Sequence, residues 1–333
     1  MFAKPLRKGD IIAVYSPSSP ASTFAKIRFE RAKAYLSDKG YIIKEGSLTG
    51  LRDFYRSGSI QDRVDELNAL IRDPEVRCIM SMIGGMNSNS LLPYLDYEAI
   101  KKDAKIFVGY LDVTALLLGI YAKTGLVTYY GPALVASFGE FPPYVDETFA
   151  YFEAIVSGQM KYPYPLPTPK EWTEEYIDWS LQDRSKLPQT NQLITVHSGH
   201  HTGRLIGGNL NTMGGIWGSE YIPEIKQGDI LLIEDSLKDI ATLERNFAHL
   251  KVNGVFDRIG GLILGKHELF KDMGTGRRPY ELLLEVIGKP TSPILAEFDC
   301  AHTHPMLTLP IGVLATLDAD KQELILEGRV SES

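Results

Sequence analysis

The chain has 333 residues, 44% hydrophobic and 23% charged, a composition that sustains cores in two domains and excludes long disordered tracts. Its formal net charge of -7 offers no basic face to nucleic acid or anionic lipid, which points to a small-molecule or peptide partner. Met1 to Asp10 carries no apolar run of signal-peptide length and no later stretch could span a bilayer, so the sequence reads as cytoplasmic and without a membrane partner.

In chain order, Ile11 to Tyr15 reads as a buried strand, followed by a Ser and Pro turn and a helix with Ile27, Ala32, Tyr35 and Leu36 inward, stopped at Gly40. Tyr41 to Lys44 is a second strand, and Ser59 opens a helix presenting Ile60, Val64, Leu67 and Ile71 on one face. Cys78 to Met82 and Lys105 to Val108 follow as strands, and Asp112 is expected to cap an apolar helix that Thr124 and Gly125 end. This alternation predicts a parallel sheet covered by helices over residues 1–160. From 161 to 202 the periodicity fails and prolines cluster; Trp172, Tyr176 and Trp179 in this linker suggest a segment packed over a site. Residues 203–333 carry β-rich runs at Arg204 to Ile206, Ile230 to Ile233, Gly261 to Leu264, Ile294 to Glu297 and Val313 to Leu317. Helices fall near Ala241 to Leu250 and Tyr280 to Ile287, so the second domain is a β-rich mixed α/β unit. Cys78 and Cys300, both in apolar runs read as strands, are expected as buried thiols.

Four stretches could carry chemistry. Ile83 to Asn89, Ile-Gly-Gly-Met-Asn-Ser-Asn, follows a strand; tandem glycines allow close backbone approach to a ligand, or simply serve a turn needing positive φ. Its spacing is that of neither a dinucleotide nor a P-loop fingerprint, and no cofactor is expected. Lys105 to Gly119 is a strand turning within about three residues into a helix, which places residue 111 at the carboxyl end of the sheet, where open α/β folds bind ligands. The N–H groups of Asp112 and Val113 stand there at a helix N-terminus, suited to an oxyanion. A hydroxyl or thiol at that place would be a nucleophile; Leu111 cannot be one, and the plain alternative is that it packs under the linker.

Leu231 to Ser236 sets Glu234 at the end of an apolar strand, placed to orient a histidine, with Asp235 and Ser236 suited to helix capping. Phe298 to Gly312 supplies His302 and His304; with Asp299 and Cys300 on opposite faces of a strand and no third partner at ligand spacing, no metal is expected. His197, His200 and His201 read as solvated in a Ser and Gly turn, and His267 as lining the same crevice as residue 111.

Together these stretches resemble the S66 serine peptidases, the family of LD-carboxypeptidases and microcin C immunity proteins, from Gly-Asp-Ile-Ile-Ala-Val-Tyr-Ser-Pro-Ser-Ser-Pro near the start to Thr-Leu-Pro-Ile-Gly near the end. Gly-Gly-Met-Asn-Ser-Asn, Ile206 to Leu210 and Gly215 to Ser219 look closer to the MccF-like branch than to murein-recycling members. The resemblance implies a Rossmann-like N-terminal domain, a β-rich C-terminal domain, a homodimer, and a Ser-Glu-His triad that hydrolyses an amide next to a carboxylate. The substrate is a peptidyl-nucleotide or an LD-peptide of murein. Carried over, Glu234 and His302 match the family glutamate and histidine, and Gly85 and Asp112 the oxyanion N–H groups. Gly84, Asn87, Trp179, Asn209 and His267 are the expected substrate contacts, with Trp179 the aromatic that stacks on the nucleobase and His304 at a variable position. The family serine falls on Leu111, which implies an inactive or strongly impaired hydrolase. The alternatives are a protein that sequesters the peptidyl-nucleotide or muropeptide without cleaving it, or an inert scaffold in which Glu234 and His302 are too far apart to hydrogen-bond.

Overall fold

The computed structural model describes residues 1–300 and 302–328. Its strands in chain order are β1 Ile11–Tyr15, β2 Ile42–Glu45, β3 Val76–Ser81, β4 Ile106–Gly109, β5 Thr128–Tyr130, β6 Tyr164–Pro165, β7 Glu171–Trp172 and β8 Gln189–Thr190. They continue as β9 Ile194–His197, β10 His200–Asn209, β11 Ile230–Glu234, β12 Gly261–Gly265, β13 Ile294–Phe298, β14 Leu309–Ile311, β15 Leu314–Asp318 and β16 Glu323–Gly328.

The first sheet has the order β14-β5-β4-β3-β1-β2 and is parallel apart from β14. Its central strands are mostly buried apolar residues, broken in β3 by the half-buried Arg77 and by Ser81, with no alternation of polar and apolar faces. The second sheet, β6-β16-β15-β10-β11-β12-β13-β9, has a parallel centre from β10 to β13 flanked by antiparallel strands. The fold is therefore mixed α/β built on two sheets. The sheets are interlocked: β14, from late in the chain, pairs with β5 and closes the edge of the first sheet. The linker also contributes strands, β6 against β16 and β9 against β13, while β7 and β8 form a small hairpin.

Several expectations change on contact with tertiary structure. Ile27 and Ile60 are exposed, because each sits at the first turn of its helix (Lys26–Asp38, Ile60–Arg72) before the buried stripe begins. Ser59 does cap the latter, in a capping box with Asp62. Cys78 lies in β3, but Cys300 lies beyond the end of β13; both are buried free thiols. His197 and His201 are not solvated turn residues: they stand in β9 and β10, with ring nitrogens 2.9 Å from the Ser292 carbonyl and 2.8 Å from the Gly228 carbonyl. Among the described residues, no helix is long and apolar enough to cross a membrane.

Candidate active site

Position 111 follows β4 at a sharp corner. Tyr110 is extended, Leu111 has φ +57°, and a short 3-10 turn, Leu111–Val113, leads into the helix Thr114–Thr124, closed by Gly125 in the left-handed conformation. A left-handed backbone costs a bulky L-residue roughly 1–2 kcal/mol, so the surrounding structure is holding this corner. The strand, strained corner and helix together form the elbow that exposes a nucleophile in many hydrolases. Asp112 does not cap the helix. Its carboxylate turns away to accept the N–H groups of Asn87 and Ser88 at 3.2 and 2.9 Å, and Ser88 Oγ donates to the Asp112 carbonyl at 2.6 Å. That lashes the 84–88 turn against the elbow. The N–H of Val113 is likewise taken, by the Tyr110 carbonyl.

The two glycines are required by this approach. A Cβ on Gly84 would lie 2.8 Å from Leu111 Cδ2, and Gly85 has φ +146°, with the Ser18 hydroxyl 2.2 Å from where its Cβ would be. Among the described residues the Gly85 and Asp112 N–H groups carry no hydrogen bond.

On the facing sheet, Glu234 ends β11 fully buried, and its carboxylate accepts from three donors: His302 Nδ1 at 2.8 Å, Asn209 Nδ2 at 3.0 Å, and the Tyr130 hydroxyl in a short contact. The scaffold reading, with Glu234 and His302 apart, is overturned by the first of these distances. Since a carboxylate only accepts, His302 carries its proton on Nδ1, and Nε2 is buried without a partner, the open atom of the ring. Burial alone would lower the His302 pKa, but the adjacent Glu234 carboxylate outweighs it and raises it. Burial would raise the Glu234 carboxyl, yet His302 and the donors hold it below its ordinary value. Tyr130 Oη also receives the N–H of Leu111 at 3.4 Å. An unbroken path thus runs from the elbow through Tyr130 and Glu234 to His302. Tyr110 packs edge-on against the His302 ring, 4.9 Å between centroids, and fixes its tilt.

A cavity of about 270 Å³ opens at the elbow, lined by Gly85, Leu111, Asp112, Asn209, Asp235 and Lys238 among others. Of the expected substrate contacts, only Asn209 lines this cavity. Gly84 lies under Leu111 rather than on the cavity wall, and Asn87 spends its carbonyl on Ser18 Oγ and Arg63 at 2.9 and 2.7 Å. Asn209 is at the cavity but also caps the helix Leu210–Gly214 through the N–H of Thr212. Asp235 and Ser236 do not cap; Asp239 does, for the helix Ile240–Val252, while Asp235 is buried beside Asn209 and Lys238. His267 lines a separate cavity. Trp179 stacks on Phe24, 6.3 Å between centroids, with the Arg28 guanidinium 4.7 Å from its ring.

Sequence reasoning missed Tyr130 and Lys238. Tyr130 ends a short strand in Thr-Tyr-Tyr-Gly-Pro, and a polar-tipped aromatic at the carboxyl end of a sheet was its only signal. His304 is buried and pushed down to about 3, by burial first and by Lys186, so it stays neutral. Its ring faces Glu140, which is held at about 2 despite burial, by His304 in the acid range where that ring is protonated and by Arg28 and Lys186 throughout. Thr173 of the linker exchanges both backbone hydrogen bonds with His304, pinning the linker beside His302. Among the described residues, no group of three or more His, Cys, Asp or Glu could hold a metal ion.

Comparison with known proteins gives this geometry a lineage. Residues 12–131 match the Peptidase_S66 LD-carboxypeptidase N-terminal domain, and residues 202–317 the corresponding C-terminal domain. A Vibrio cholerae protein whose name assigns it to the carboxypeptidases is 58% identical over 99% of this chain and 98% of its own. The microcin C7 self-immunity protein MccF of Escherichia coli is 53% identical over 97% of this chain and 95% of its own. Solved structures of MccF superpose with TM-scores of 0.97 for its complex with aspartyl sulfamoyl adenosine and 0.96 for that with glutamyl sulfamoyl guanosine. Both are 52% identical and cover 99% and 98% of each chain respectively.

Proposed function

Because the chain belongs to the S66 LD-carboxypeptidase family, we propose that its cleft is a serine-type amidase site for acyl groups bearing a free carboxylate, silenced by Leu111 at the nucleophile position. The observation that carries this reading is the path from the strained elbow through Tyr130 and Glu234 to a histidine whose Nε2 is left open. Every part is present that would take a proton from a residue at 111 and stabilise the resulting imidazolium; the hydroxyl is missing.

With serine at 111, Oγ bonds to the acyl carbon while its proton passes to His302 Nε2, and the negative charge on the carbonyl oxygen is met by the Gly85 and Asp112 N–H groups. The C–N bond then breaks as His302 returns the proton to the leaving nitrogen. Water, deprotonated by the same ring, releases the acid and restores the serine. Lys238 supplies the cavity with a cation for the substrate carboxylate. MccF binds aspartyl sulfamoyl adenosine and glutamyl sulfamoyl guanosine, which supports an acidic aminoacyl-nucleotide as the substrate class here over a murein LD-peptide. On this reading residues 1–160 bring the elbow, 161–202 a site loop, and 203–333 the glutamate and histidine. The family resemblance adds a cytoplasmic homodimer, which sedimentation would test.

The test is Leu111→Ser, assayed by chromatography for release of aspartate-derived product from aspartyl sulfamoyl adenosine or of D-alanine from a murein tetrapeptide. A folded variant that turns over neither overturns the reading. The cavity that persists beside Leu111 favours a second role for the unaltered chain, holding the intact aminoacyl-nucleotide. Calorimetric binding without product supports that role, and absence of heat eliminates it.

A further inference from the structure

A second cavity, of about 420 Å³, lies at the carboxyl ends of β12 and β13, behind residues 265–267, and shares no lining residue with the cavity at Leu111. Its walls are Trp172 and Tyr280, with Phe270 packed edge-on to His267, and its polar groups are unusually unspent. His267 is 9% exposed, and its Nδ1 lies 3.0 Å from the Gly265 carbonyl. A carbonyl only accepts, so the proton sits on Nδ1 and Nε2 is a bare acceptor, buried with no partner. Glu297, on the same wall, has φ +59°, a left-handed conformation that the fold must impose on a non-glycine residue. Among the described residues neither the Glu297 carboxylate nor the Arg278 guanidinium forms an ion pair.

Lys266, by contrast, is accounted for. Its ammonium is held by Asp299 at 2.7 Å and the Glu297 carbonyl at 2.5 Å, over the Trp172 ring. Asn191 fixes the other oxygen of Asp299 at 2.7 Å. With that pair neutralised, and with Glu174 on the same wall accepting the Leu269 N–H at 2.7 Å, what faces the cavity is the Glu297 carboxylate, the Arg278 guanidinium, the His267 ring and aromatic walls. Such a set is complementary to a molecule with an ammonium, a carboxylate and an apolar side chain in close proximity: Glu297 accepts from the ammonium, Arg278 pairs with the carboxylate, and Trp172 and Tyr280 cover the side chain.

We propose that this cavity is a second ligand site, which takes a small α-amino acid zwitterion with an aromatic or aliphatic side chain. The site is independent of the residue at 111, and its test does not depend on hydrolysis. The full chain is titrated calorimetrically with L- and D-phenylalanine, with phenethylamine, which lacks the carboxylate, and with hydrocinnamate, which lacks the ammonium. One enantiomer of phenylalanine binds, and each half-charged analogue binds at least about tenfold more weakly, the loss of one charged contact. Arg278→Gln, at an exposed position that does not threaten folding, weakens phenylalanine about tenfold and leaves phenethylamine unchanged. Glu297→Gln, checked for folding by circular dichroism, weakens phenylalanine and leaves hydrocinnamate unchanged. Lys238→Met, at the other cavity, leaves phenylalanine binding intact. No heat from either enantiomer, wild-type affinity in Arg278→Gln, or loss of binding in Lys238→Met overturns the proposal.

Discussion

Replacing Glu234 with glutamine keeps the shape of the buried centre and changes only its charge and one pair of hydrogens. Tyr130 and Asn209 both donate to Glu234 Oε1, whereas His302 Nδ1 addresses Oε2. The amide oxygen therefore stays with Tyr130 and Asn209, and the amide NH₂ is turned toward His302. Two donors cannot face each other, so the ring must shift its proton to Nε2 and accept at Nδ1. The hydrogen bonds survive, but three charge-assisted bonds become neutral. Each conversion loses about 1 kcal/mol, partly offset by the relief of burying no charge, for a net destabilisation of about 2 kcal/mol in urea unfolding. With Glu234 neutral, burial acts on His302 against only the charges of Glu268 and Asp235, and its pKa falls. Nitrogen-15 NMR of the imidazole reads both effects: Nδ1–H in the parent, Nε2–H in Glu234→Gln, with the titration moved to lower pH. In a Leu111→Ser background the same change removes the general base and lowers turnover about 10⁴-fold, as wrong-tautomer variants of such triads do. If the variant keeps Nδ1–H and a raised pKa, the reasoning about this centre is wrong.

Tyr130→Phe breaks the link between the elbow N–H and Glu234; a loss of about 1 kcal/mol is expected in urea unfolding, and unchanged stability would show that the hydroxyl is idle. His304, at about 3 when folded, and His267, at about 4, both have depressed folded values, so the unfolded chain binds their protons first and stability is lost as pH falls from about 6.5 toward those values. Each contributes a slope of about 1.4 kcal/mol per pH unit in that window; His304→Gln removes one such proton from the pH dependence of urea unfolding, and an unaltered slope would contradict its burial as the neutral form. Glu140→Gln takes the anion from between buried Arg28, Lys186 and His304, at a cost of about 3–5 kcal/mol for breaking a buried pair. Gln182 and Trp179 are held through Arg28, so hydrogen exchange should rise across residues 173–187, and continued protection there would refute the anchoring role.

How much of this was readable in one dimension varies by element. β1, β11, β12 and β13 lay close to where short, mostly apolar runs of four or five residues put them, since a strand covered on both faces is written mainly in apolar residues. Glu234 and His302 were legible as residues ending apolar strands or breaking apolar stretches. Other residues were misjudged where a partner distant in sequence decides. Asp112 looked like a cap because caps are local, but the N–H groups of Asn87 and Ser88 claim its carboxylate. His201 looked solvated because Ser and Gly surround it, but β10 continues through it and Gly228 takes its ring. Asn87 was expected at the substrate; its amide oxygen instead accepts from Ser18 and Arg63, which leaves only its NH₂ group to offer there.

By itself, the sequence determined the alternation of strands and helices, the corner at 111, the absence of a hydroxyl there, and the family to which the rest of the site points, because each depends on residues adjacent in the chain or on motif spacing. Only the tertiary structure decided that β14 returns to close the first sheet, that Tyr130 joins the elbow to Glu234, that His302 leaves Nε2 open, and that His267 belongs to another cavity. Those facts depend on which groups meet across two sheets. Hydrogen-bonding capacity can be read from a side chain alone, whereas the partner that uses it is set by the packing of the whole chain.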